Sequence, residues 1–180
     1  LLASHGASDM TGVDLSQESI RLAKETYSGV EFYVGDMHHL DFAEGSFDFI
    51  YSSLTLHYSA QPLEVLREVY RLLAPGGRVQ FSVGHPVRWA SERIQVDGVN
   101  VKVLGYSEEE DRTRLYGGYS SFKEYSETFQ SGEVLRFWIA APSRWFGWIK
   151  EAGFTVEEFI ETQAIDETKN VASVYYDRYH

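Results

Sequence analysis

The sequence predicts an α/β fold in which helices flank a mostly parallel sheet. From residue 9 to residue 83, short apolar runs alternate with amphipathic stretches, which is the pattern of repeated strand–helix–strand units. The length of 180 residues is that of one domain. Apolar residues make up 43% of the chain and aromatic residues 15%, so the sequence can build a hydrophobic core.

The first predicted elements are a strand, a helix and a second strand. Residues 9–14 are typical of a short strand, and Ser16 is placed to cap the helix that follows. The apolar positions of that helix are Ile20, Leu22 and Ala23. Residues 30–34 alternate in polarity, which predicts a second strand that ends at Gly35.

A third strand, a long helix and a fourth strand follow. Residues 47–51 are apolar enough to lie centrally in a sheet, and Pro62 suits the first turn of the next helix. The apolar stripe of this helix consists of Leu63, Leu66, Val69, Tyr70 and Leu73. We expect it to stop at residues 74–77, because proline cannot continue a helix and Pro-Gly fits a type II turn. With residues 78–83 as the fourth strand, the alternation predicts a Rossmann-like half sheet.

The pattern changes after the fourth strand. Residues 87–140 are rich in Trp, Tyr and Phe, which predicts an aromatic-rich insertion. Within it we expect residues 125–129 and 133–139 to pair as antiparallel strands around Ser131-Gly132. The aromatic side chains would form either the core of a small cap over the sheet or a pocket for an apolar or cationic acceptor.

The last segment returns to the α/β pattern. Ser143 is expected to cap a helix that ends at Gly153. Residues 154–159 and 171–176 are expected to be the last two strands, the final one antiparallel.

These elements predict one domain rather than two. Its parts are a core at 1–86 and 141–180 and an insertion or cap at 87–140, within a single domain over 1–180.

Composition excludes several classes of function. Lys and Arg number 16 against 27 Asp and Glu, a net charge of −11 that repels phosphate backbones and anionic lipid, so we expect no nucleic-acid or membrane partner. The chain has no cysteine, which excludes disulfides and thiolate chemistry. Neither a membrane-spanning run nor a signal-peptide pattern occurs, so a cytoplasmic location is expected. No pattern indicates an oligomeric state.

Carboxylates end the first two predicted strands, at the sheet edge where α/β proteins bind ligands. Asp14 could accept hydrogen bonds from both ribose hydroxyls, or it could serve only as a favourable charge at a helix N-terminus. Asp36 could accept a hydrogen bond from an exocyclic amine such as that of adenine, with Gly35 allowing close approach, or it could be a turn aspartate.

Four segments form a pattern more specific than either carboxylate alone. They are Thr-Gly-Val-Asp-Leu-Ser at 11–16, Val-Glu-Phe-Tyr-Val-Gly-Asp-Met at 30–37, Gly-Ser-Phe-Asp-Phe-Ile-Tyr-Ser-Ser-Leu-Thr-Leu-His-Tyr at 45–58, and Leu-Arg-Glu-Val-Tyr-Arg-Leu-Leu-Ala-Pro-Gly-Gly-Arg at 66–78. In this order and spacing they resemble the class I S-adenosylmethionine-dependent methyltransferases of the small-molecule type. The resemblance extends to about residue 85 and returns at 148–154.

The resemblance implies roles for four residues at the ends of the first two strands. Asp14 would hold the ribose of S-adenosylmethionine, and Leu15 would pack on the adenine. Asp36 would accept from the adenine amino group, and the backbone amide of Met37 would face a ring nitrogen.

Further residues follow the third and fourth strands. By the same resemblance, Ser52 and Ser53 would border the methionyl part of the cofactor, and His57 would lie near the substrate. His57 and His85 are the candidate catalytic bases if the acceptor must lose a proton. The alternative is that His57 only packs after the central strand and that Pro86 fixes His85 at a strand exit.

The sequence departs from the family at its start. The family begins with a strand and a glycine-rich loop of the form Asp-x-Gly-x-Gly-x-Gly, whereas residues 1–6 are typical of the end of the helix after that loop. We therefore expect this sequence to enter the domain partway through its first helix and, taken alone, to bind the cofactor poorly.

No metal site is expected. His38 and His39 are adjacent, and neighbouring side chains in an extended or turn segment point apart, so a solvated loop is the better interpretation.

The sequence thus predicts methyl transfer from S-adenosylmethionine to a small-molecule acceptor by in-line displacement, with positioning and desolvation supplying the catalysis. Two other classes stay open. One is a nucleoside-binding relative without activity, or a partner subunit. The other is a nicotinamide-dependent oxidoreductase, for which Asp14 would also suit the ribose.

Overall fold

Two parallel strand pairs make up the first half of the chain. The computed structural model describes residues 6–109, 112–128 and 132–161. In the first pair, β1 (Met10–Asp14) and β2 (Val30–Val34) run parallel with Asp14 opposite Val34, and α1 (Gln17–Thr26) connects them. The side chain of Ser16 accepts a hydrogen bond from the Ser19 amide, which confirms Ser16 as the cap of α1.

The second parallel pair consists of β3 (Phe47–Ser53) and β4 (Leu73–Ser82), with Ser53 opposite Ser82. A 3₁₀ turn (Leu56–Tyr58) and α2 (Pro62–Leu72) connect the two strands. The predicted start of the fourth strand at residue 78 is wrong, because β4 begins at Leu73 directly after α2 and includes the Pro-Gly-Gly segment. The register shifts between Phe47 and Phe49, which accommodates the extra residues of that segment.

Antiparallel hairpins follow the parallel pairs. The elements are α3 (Pro86–Trp89), β5 (Glu92–Val96), β6 (Val99–Val103), β7 (Gly105–Glu109), β8 (Arg112–Tyr116), β9 (Lys123–Thr128), β10 (Val134–Ile139) and α4 (Pro142–Glu151). Strands β5 and β6, β7 and β8, and β9 and β10 pair in turn. The antiparallel pair expected at 125–129 and 133–139 is confirmed, and its connection at 129–131 lies outside the described residues.

Two expectations for the last segment are wrong. The cap of α4 is Ala141 rather than Ser143, because Pro142 takes the first helical position, where its missing N–H costs nothing. Residues 154–161 form no strand. Phe154 instead packs edge-on against Tyr70 of α2, with ring centroids 5.1 Å apart, so side-chain packing on helices replaces ladder pairing here. The strand expected at 171–176 lies outside the described residues.

The hydrophobic core is built from residues at position 56 and beyond. Its buried members come from the 3₁₀ turn, α2, the end of β10 and α4, and they are Leu56, Val65, Leu66, Ala140, Trp145 and Ala152. Among the described residues before position 56, only Ile20 is a buried hydrophobic side chain. No helix in the described ranges is long and apolar enough to cross a membrane.

Candidate functional site

Asp14 ends β1 at the point where the chain turns into α1. Its Oδ1 accepts a hydrogen bond of 2.8 Å from the Ser16 amide, so one carboxylate oxygen supports the helix start. The other oxygen has no partner among the described residues. The next residue, Leu15, is apolar and 72% exposed. The end of β1 therefore presents a carboxylate oxygen beside an uncovered apolar side chain.

Gly35 joins the ends of the first two strands. Its amide donates to the Asp14 carbonyl at 3.0 Å, which fixes the loop after β2 against the end of β1. A Cβ on Gly35 would lie 2.8 Å from a methyl group of Leu40 and 3.0 Å from one of Val13, so a larger residue would have to displace these side chains. This contact keeps Asp14 and Asp36 on neighbouring strand ends.

Asp36 is held by its own loop. Its Oδ1 accepts from the His38 amide at 2.9 Å and lies 2.6 Å from His38 Nδ1. These two hydrogen bonds, the backbone one first, lower the pKa of the Asp36 carboxyl. Because both converge on Oδ1, the second oxygen of an ionised carboxylate stays available to a donor.

His38 differs from the expected solvated loop residue. Its Nε2 lies 2.7 Å from the hydroxyl of Ser59, which is 1% exposed and whose oxygen accepts a hydrogen bond from the Gln61 amide. The tight turn after Asp36 folds the ring back, so that its two nitrogens bridge the loop and the residues before α2. His39 is exposed, as expected for a loop residue.

An ion pair on α2 holds the far side of the same loop. Glu68 is 8% exposed and accepts from the Leu40 amide at 2.8 Å. Arg71 donates to the carbonyls of Leu40 and Phe42 and contacts Glu68 at 2.6 Å. The Arg71 guanidinium, followed by the Leu40 amide, lowers the pKa of the Glu68 carboxyl against the opposing effect of burial. The loop that carries Asp36 is thus anchored at both ends.

The ends of β3 and β4 carry a strained residue that the sequence does not reveal. Leu54 has a φ of +54°, a conformation that a branched side chain rarely adopts. Its amide donates to the Ser82 carbonyl at 3.0 Å and lies 3.2 Å from the Ser82 hydroxyl. Ser53 lies beside them, with its hydroxyl 3.4 Å from that of Ser82, and Ser52 is half-buried. Such strain is concentrated at ligand sites in many proteins.

His57 is the central residue of the 3₁₀ turn and is buried, at 8% exposure. Its Nδ1 accepts from the Gly84 amide at 3.2 Å, so in the neutral ring the proton is on Nε2. Burial lowers the pKa of His57, which favours this neutral form. The geometry gives His57 a hydrogen-bond donor rather than a free basic nitrogen.

His85 has both ring nitrogens engaged. Nδ1 accepts from the Val87 amide at 3.2 Å at the start of α3, and Nε2 lies 2.7 Å from the Glu161 carboxylate. The ring therefore links the exit of β4 to the segment after α4.

The aromatic side chains of the hairpin region pack on one another. Phe137 is 3% exposed, and its ring centroid lies 4.7 Å from Trp89, 6.0 Å from His57 and 6.3 Å from Tyr125. At these distances the rings fill the space between them. This favours the interpretation of a cap core over that of an open aromatic pocket.

The first part of the chain matches a known protein family. Residues 1–81 match the family described as Methyltransferase domain. This match covers less than half of the chain and shows that the segment is similar to methyltransferase domains. Every candidate site residue except His85 lies within this segment.

Curated relatives match parts of the chain at moderate identity. The arsenite methyltransferase of Aquipseudomonas alcaligenes is 35% identical over 107 residues, which cover 52% of this chain and 31% of the relative. The malonyl-[acyl-carrier protein] O-methyltransferase of Erwinia pyrifoliae is 36% identical over 73 residues, 41% of this chain and 28% of the relative. The chain thus spans a third or less of the length of these relatives.

Solved structures confirm the Rossmann-like α/β fold. An S-adenosylmethionine-dependent methyltransferase from Mesorhizobium loti superposes with a TM-score of 0.71 at 23% identity, covering 98% of this chain and 77% of that one. A putative one from Listeria monocytogenes has a TM-score of 0.76 at 22% identity, covering 99% and 78%. At these identities the likeness shows the fold alone.

Within the methyltransferase fold, the predicted site residues fall into two groups. The first group lies at or just after the ends of the hydrogen-bonded strands β1 and β2, and its members are Asp14, Leu15, Asp36 and Met37. The second group lies at or after the ends of β3 and β4, and its members are Ser52, Ser53, His57 and His85. No ladder joins the two pairs in the described ranges. Two residues that the sequence does not predict as site residues lie beside these groups. His38 contacts Asp36 of the first group, and Leu54 follows Ser53 of the second.

Proposed function

We propose that this protein binds S-adenosylmethionine and transfers its methyl group to a small-molecule acceptor. The observation that carries the proposal is the pair of carboxylates on adjacent parallel strand ends, Asp14 and Asp36, each with one oxygen engaged and one available. Two acceptors at neighbouring strand ends suit the ribose and the adenine of a nucleoside. The family match of residues 1–81 supplies the reaction class.

The neighbours of Asp14 and Asp36 indicate which part of the cofactor each free carboxylate oxygen would bind. Asp14 would accept from the ribose hydroxyls, with the exposed Leu15 packed on the adenine face. Asp36 would accept from the adenine amino group through its second oxygen. The Met37 amide has no hydrogen-bond partner among the described residues, which leaves it to a ring nitrogen. Ser52 and Ser53 would border the methionyl part at the end of β3.

The chain's own residues would mainly align the reactants and exclude water. When bound, S-adenosylmethionine supplies an electrophilic methyl group on a positively charged sulfur. Holding the acceptor in line with that methyl group supplies most of the rate enhancement that such a displacement needs. His57 would contribute as a neutral donor through Nε2, because its Nδ1 is already bonded to the Gly84 amide. His85 would serve as a base only after its Nδ1 leaves the Val87 amide, because Nε2 carries the proton of the hydrogen bond to Glu161.

A small acceptor is favoured by charge. The net charge of −11 opposes binding of a phosphate backbone. Among the relatives, one is named for arsenite and one for a malonyl group on a carrier protein, and neither name refers to a nucleic acid. The cytoplasmic location expected from the sequence is part of this proposal.

The two rival functions predict different ligands. A nicotinamide-dependent oxidoreductase would also use Asp14 for a ribose, but the Gly35-Asp36-Met37 and Leu73-Ala74-Pro75-Gly76-Gly77 segments belong to the methyltransferase pattern. A nucleoside-binding relative would bind S-adenosylmethionine without turning it over.

Calorimetric titration of the full-length protein with S-adenosylmethionine, S-adenosylhomocysteine and NAD separates these functions. We expect binding of the first two and no binding of NAD, followed by methyl transfer in a screen of amines, phenols and carboxylates. Asp14→Ala and Asp36→Ala should each weaken cofactor binding by about 1.5 to 3 kcal/mol, the cost of losing a charged hydrogen bond. Asp48→Asn, an exposed carboxylate within β3, is the control. Tight NAD binding without a response to the sulfonium would refute the proposal.

A further inference from the structure

A chain of hydrogen bonds runs from the proposed adenine site to the start of α2. It passes from the Asp36 carboxylate to His38 Nδ1 at 2.6 Å, and from His38 Nε2 to the Ser59 hydroxyl at 2.7 Å. The Gln61 amide, at the N-terminal cap of α2, donates to the same hydroxyl oxygen at 2.8 Å. The link spans 21 residues of sequence between His38 and Ser59.

The proton positions along this chain are determined by its ends. An ionised Asp36 can only accept, so His38 Nδ1 carries the proton of that hydrogen bond. In the neutral ring Nε2 is then an acceptor, and the Ser59 hydroxyl donates to it. The Ser59 oxygen in turn accepts from the Gln61 amide. Every donor has an acceptor, so the imidazole is fixed in one tautomer and one orientation.

The order Asp, His, Ser also occurs in hydrolases, but a nucleophilic role for Ser59 does not fit. Its side chain is 1% exposed, and its oxygen already accepts a hydrogen bond. No substrate carbonyl could reach it. The function of the chain of hydrogen bonds must therefore be at its exposed end, which is Asp36.

We propose that His38 is a positioning residue that sets the selectivity of the cofactor site for adenine. With the backbone amide and Nδ1 of His38 both on Oδ1, the carboxylate cannot rotate freely, and Oδ2 is presented as the acceptor for an amino group. A purine with a 6-oxo group offers no donor there and would bring an oxygen against the carboxylate. This inference rests on the proposed function, because it assumes that Asp36 faces the adenine.

The rest of the loop does not depend on His38. Glu68 holds the Leu40 amide, and Arg71 holds the carbonyls of Leu40 and Phe42. Removing the imidazole should therefore leave the loop in place. Asp36 keeps its hydrogen bond from the backbone amide of residue 38 and loses the one from Nδ1, and the Ser59 hydroxyl loses its acceptor. A change in ligand selectivity can then be separated from a loss of folding.

The test compares two ligands, S-adenosylhomocysteine and its 6-oxo analogue S-inosylhomocysteine, by calorimetry on the full-length protein. In His38→Phe we expect affinity for the adenine ligand to fall about tenfold, while affinity for the 6-oxo ligand changes little. His38→Asn places an amide nitrogen near the position of Nδ1, so it should retain the wild-type selectivity to within about twofold. His39→Phe, at an exposed neighbouring position, is the matched control and should leave selectivity unchanged.

The two ligand affinities of the wild-type and variant proteins either support or overturn the role of His38. If wild-type protein binds neither ligand, the proposed function is wrong and this inference fails with it. If wild-type protein binds and His38→Phe weakens both ligands equally, the effect is structural and the inference alone is overturned. Equal loss of selectivity in His38→Asn and His38→Phe would also overturn it, because a donor near Nδ1 would then be irrelevant. A loss in His38→Phe with retention in His38→Asn supports it.

Discussion

His57 links the stability of the protein to pH. The side chain is buried at 8% exposure, and burial lowers its pKa relative to the value of about 6.5 that it has when exposed. Below pH 6.5, His57 therefore binds a proton in the unfolded chain more readily than in the folded chain. The contribution of the neutral imidazole is fully present above this pH and is lost as pH falls toward the lowered pKa of the folded state.

His57→Asn tests this linkage. The asparagine amide oxygen can still accept from the Gly84 amide, but the side chain no longer titrates. We expect the stability difference between wild-type protein and His57→Asn to shrink steadily between pH 7.5 and pH 5.5, as measured by urea unfolding at a series of pH values. The exposed His39→Asn controls for the loss of a histidine as such. Parallel stability curves for wild type and His57→Asn would contradict the argument.

Individual site residues differ in how far sequence alone predicts them. Asp14 and Asp36 follow from their place at strand ends, a local pattern that the sequence carries directly. The bridging role of His38 depends on Ser59, 21 residues away, so no local pattern reveals it. Only the Asp-x-His spacing, which permits a side-chain turn, was a usable signal. The positive φ of Leu54 is imposed by Ser82 and has no signature in residue type.

Two glutamates on α2 have the same sequence relationship to an arginine but different surroundings. Glu64 pairs with Arg67 and Glu68 pairs with Arg71, both at a spacing of three residues. Glu64 is 54% exposed, whereas Glu68 is 8% exposed and also accepts from the Leu40 amide. The Glu68–Arg71 pair therefore holds the loop after Asp36 against α2, whereas the Glu64–Arg67 pair lies on the exposed helix surface.

Alanine substitution of each glutamate measures this difference. Glu68→Ala frees a buried amide and a guanidinium, so we expect a loss of about 2 to 3 kcal/mol in the free energy of unfolding at pH 7. Glu64→Ala, the matched control, should cost about 0.5 kcal/mol. Because the pKa of Glu68 is lowered, its contribution is present above pH 4.5 and disappears as pH falls through the lowered value. Similar costs for both variants in urea titrations would contradict the loop anchor.

Elements are predicted best where local signals agree. The strand at 30–34 and the cap of α1 match the structure because alternation and capping chemistry point the same way. The sequence places the end of α2 and the start of β4 too late, because Pro-Gly-Gly is typical of a turn. In the structure, pairing with β3 includes the Pro-Gly-Gly segment in β4. Residues 154–159 alternate like a strand, but contacts with α2 and α4 determine their course.

At the scale of the whole molecule, burial is uneven. The core cluster connects the 3₁₀ turn, α2, β10 and α4, whereas Ile20 is the one buried hydrophobic side chain among the described residues before position 56. The pair β1 and β2 shares no ladder with β3 and β4 in the described ranges. Opening of β1, α1 and β2 therefore exposes less apolar surface than opening of α2 and β4, so it should require less free energy.

Hydrogen exchange tests both this unevenness and the position of the ligand. In the 180-residue chain without ligand, we expect amides of β1 and β2 to exchange faster than those of α2 and β4. S-adenosylhomocysteine at 100 times its dissociation constant should stabilise the bound form by about 2.7 kcal/mol, which slows exchange about a hundredfold wherever opening releases the ligand. Since Asp14 and Asp36 end β1 and β2, the slowing should be greatest in those strands. Uniform protection without ligand would contradict the uneven core, and slowing confined to α2 would place the ligand away from the two carboxylates.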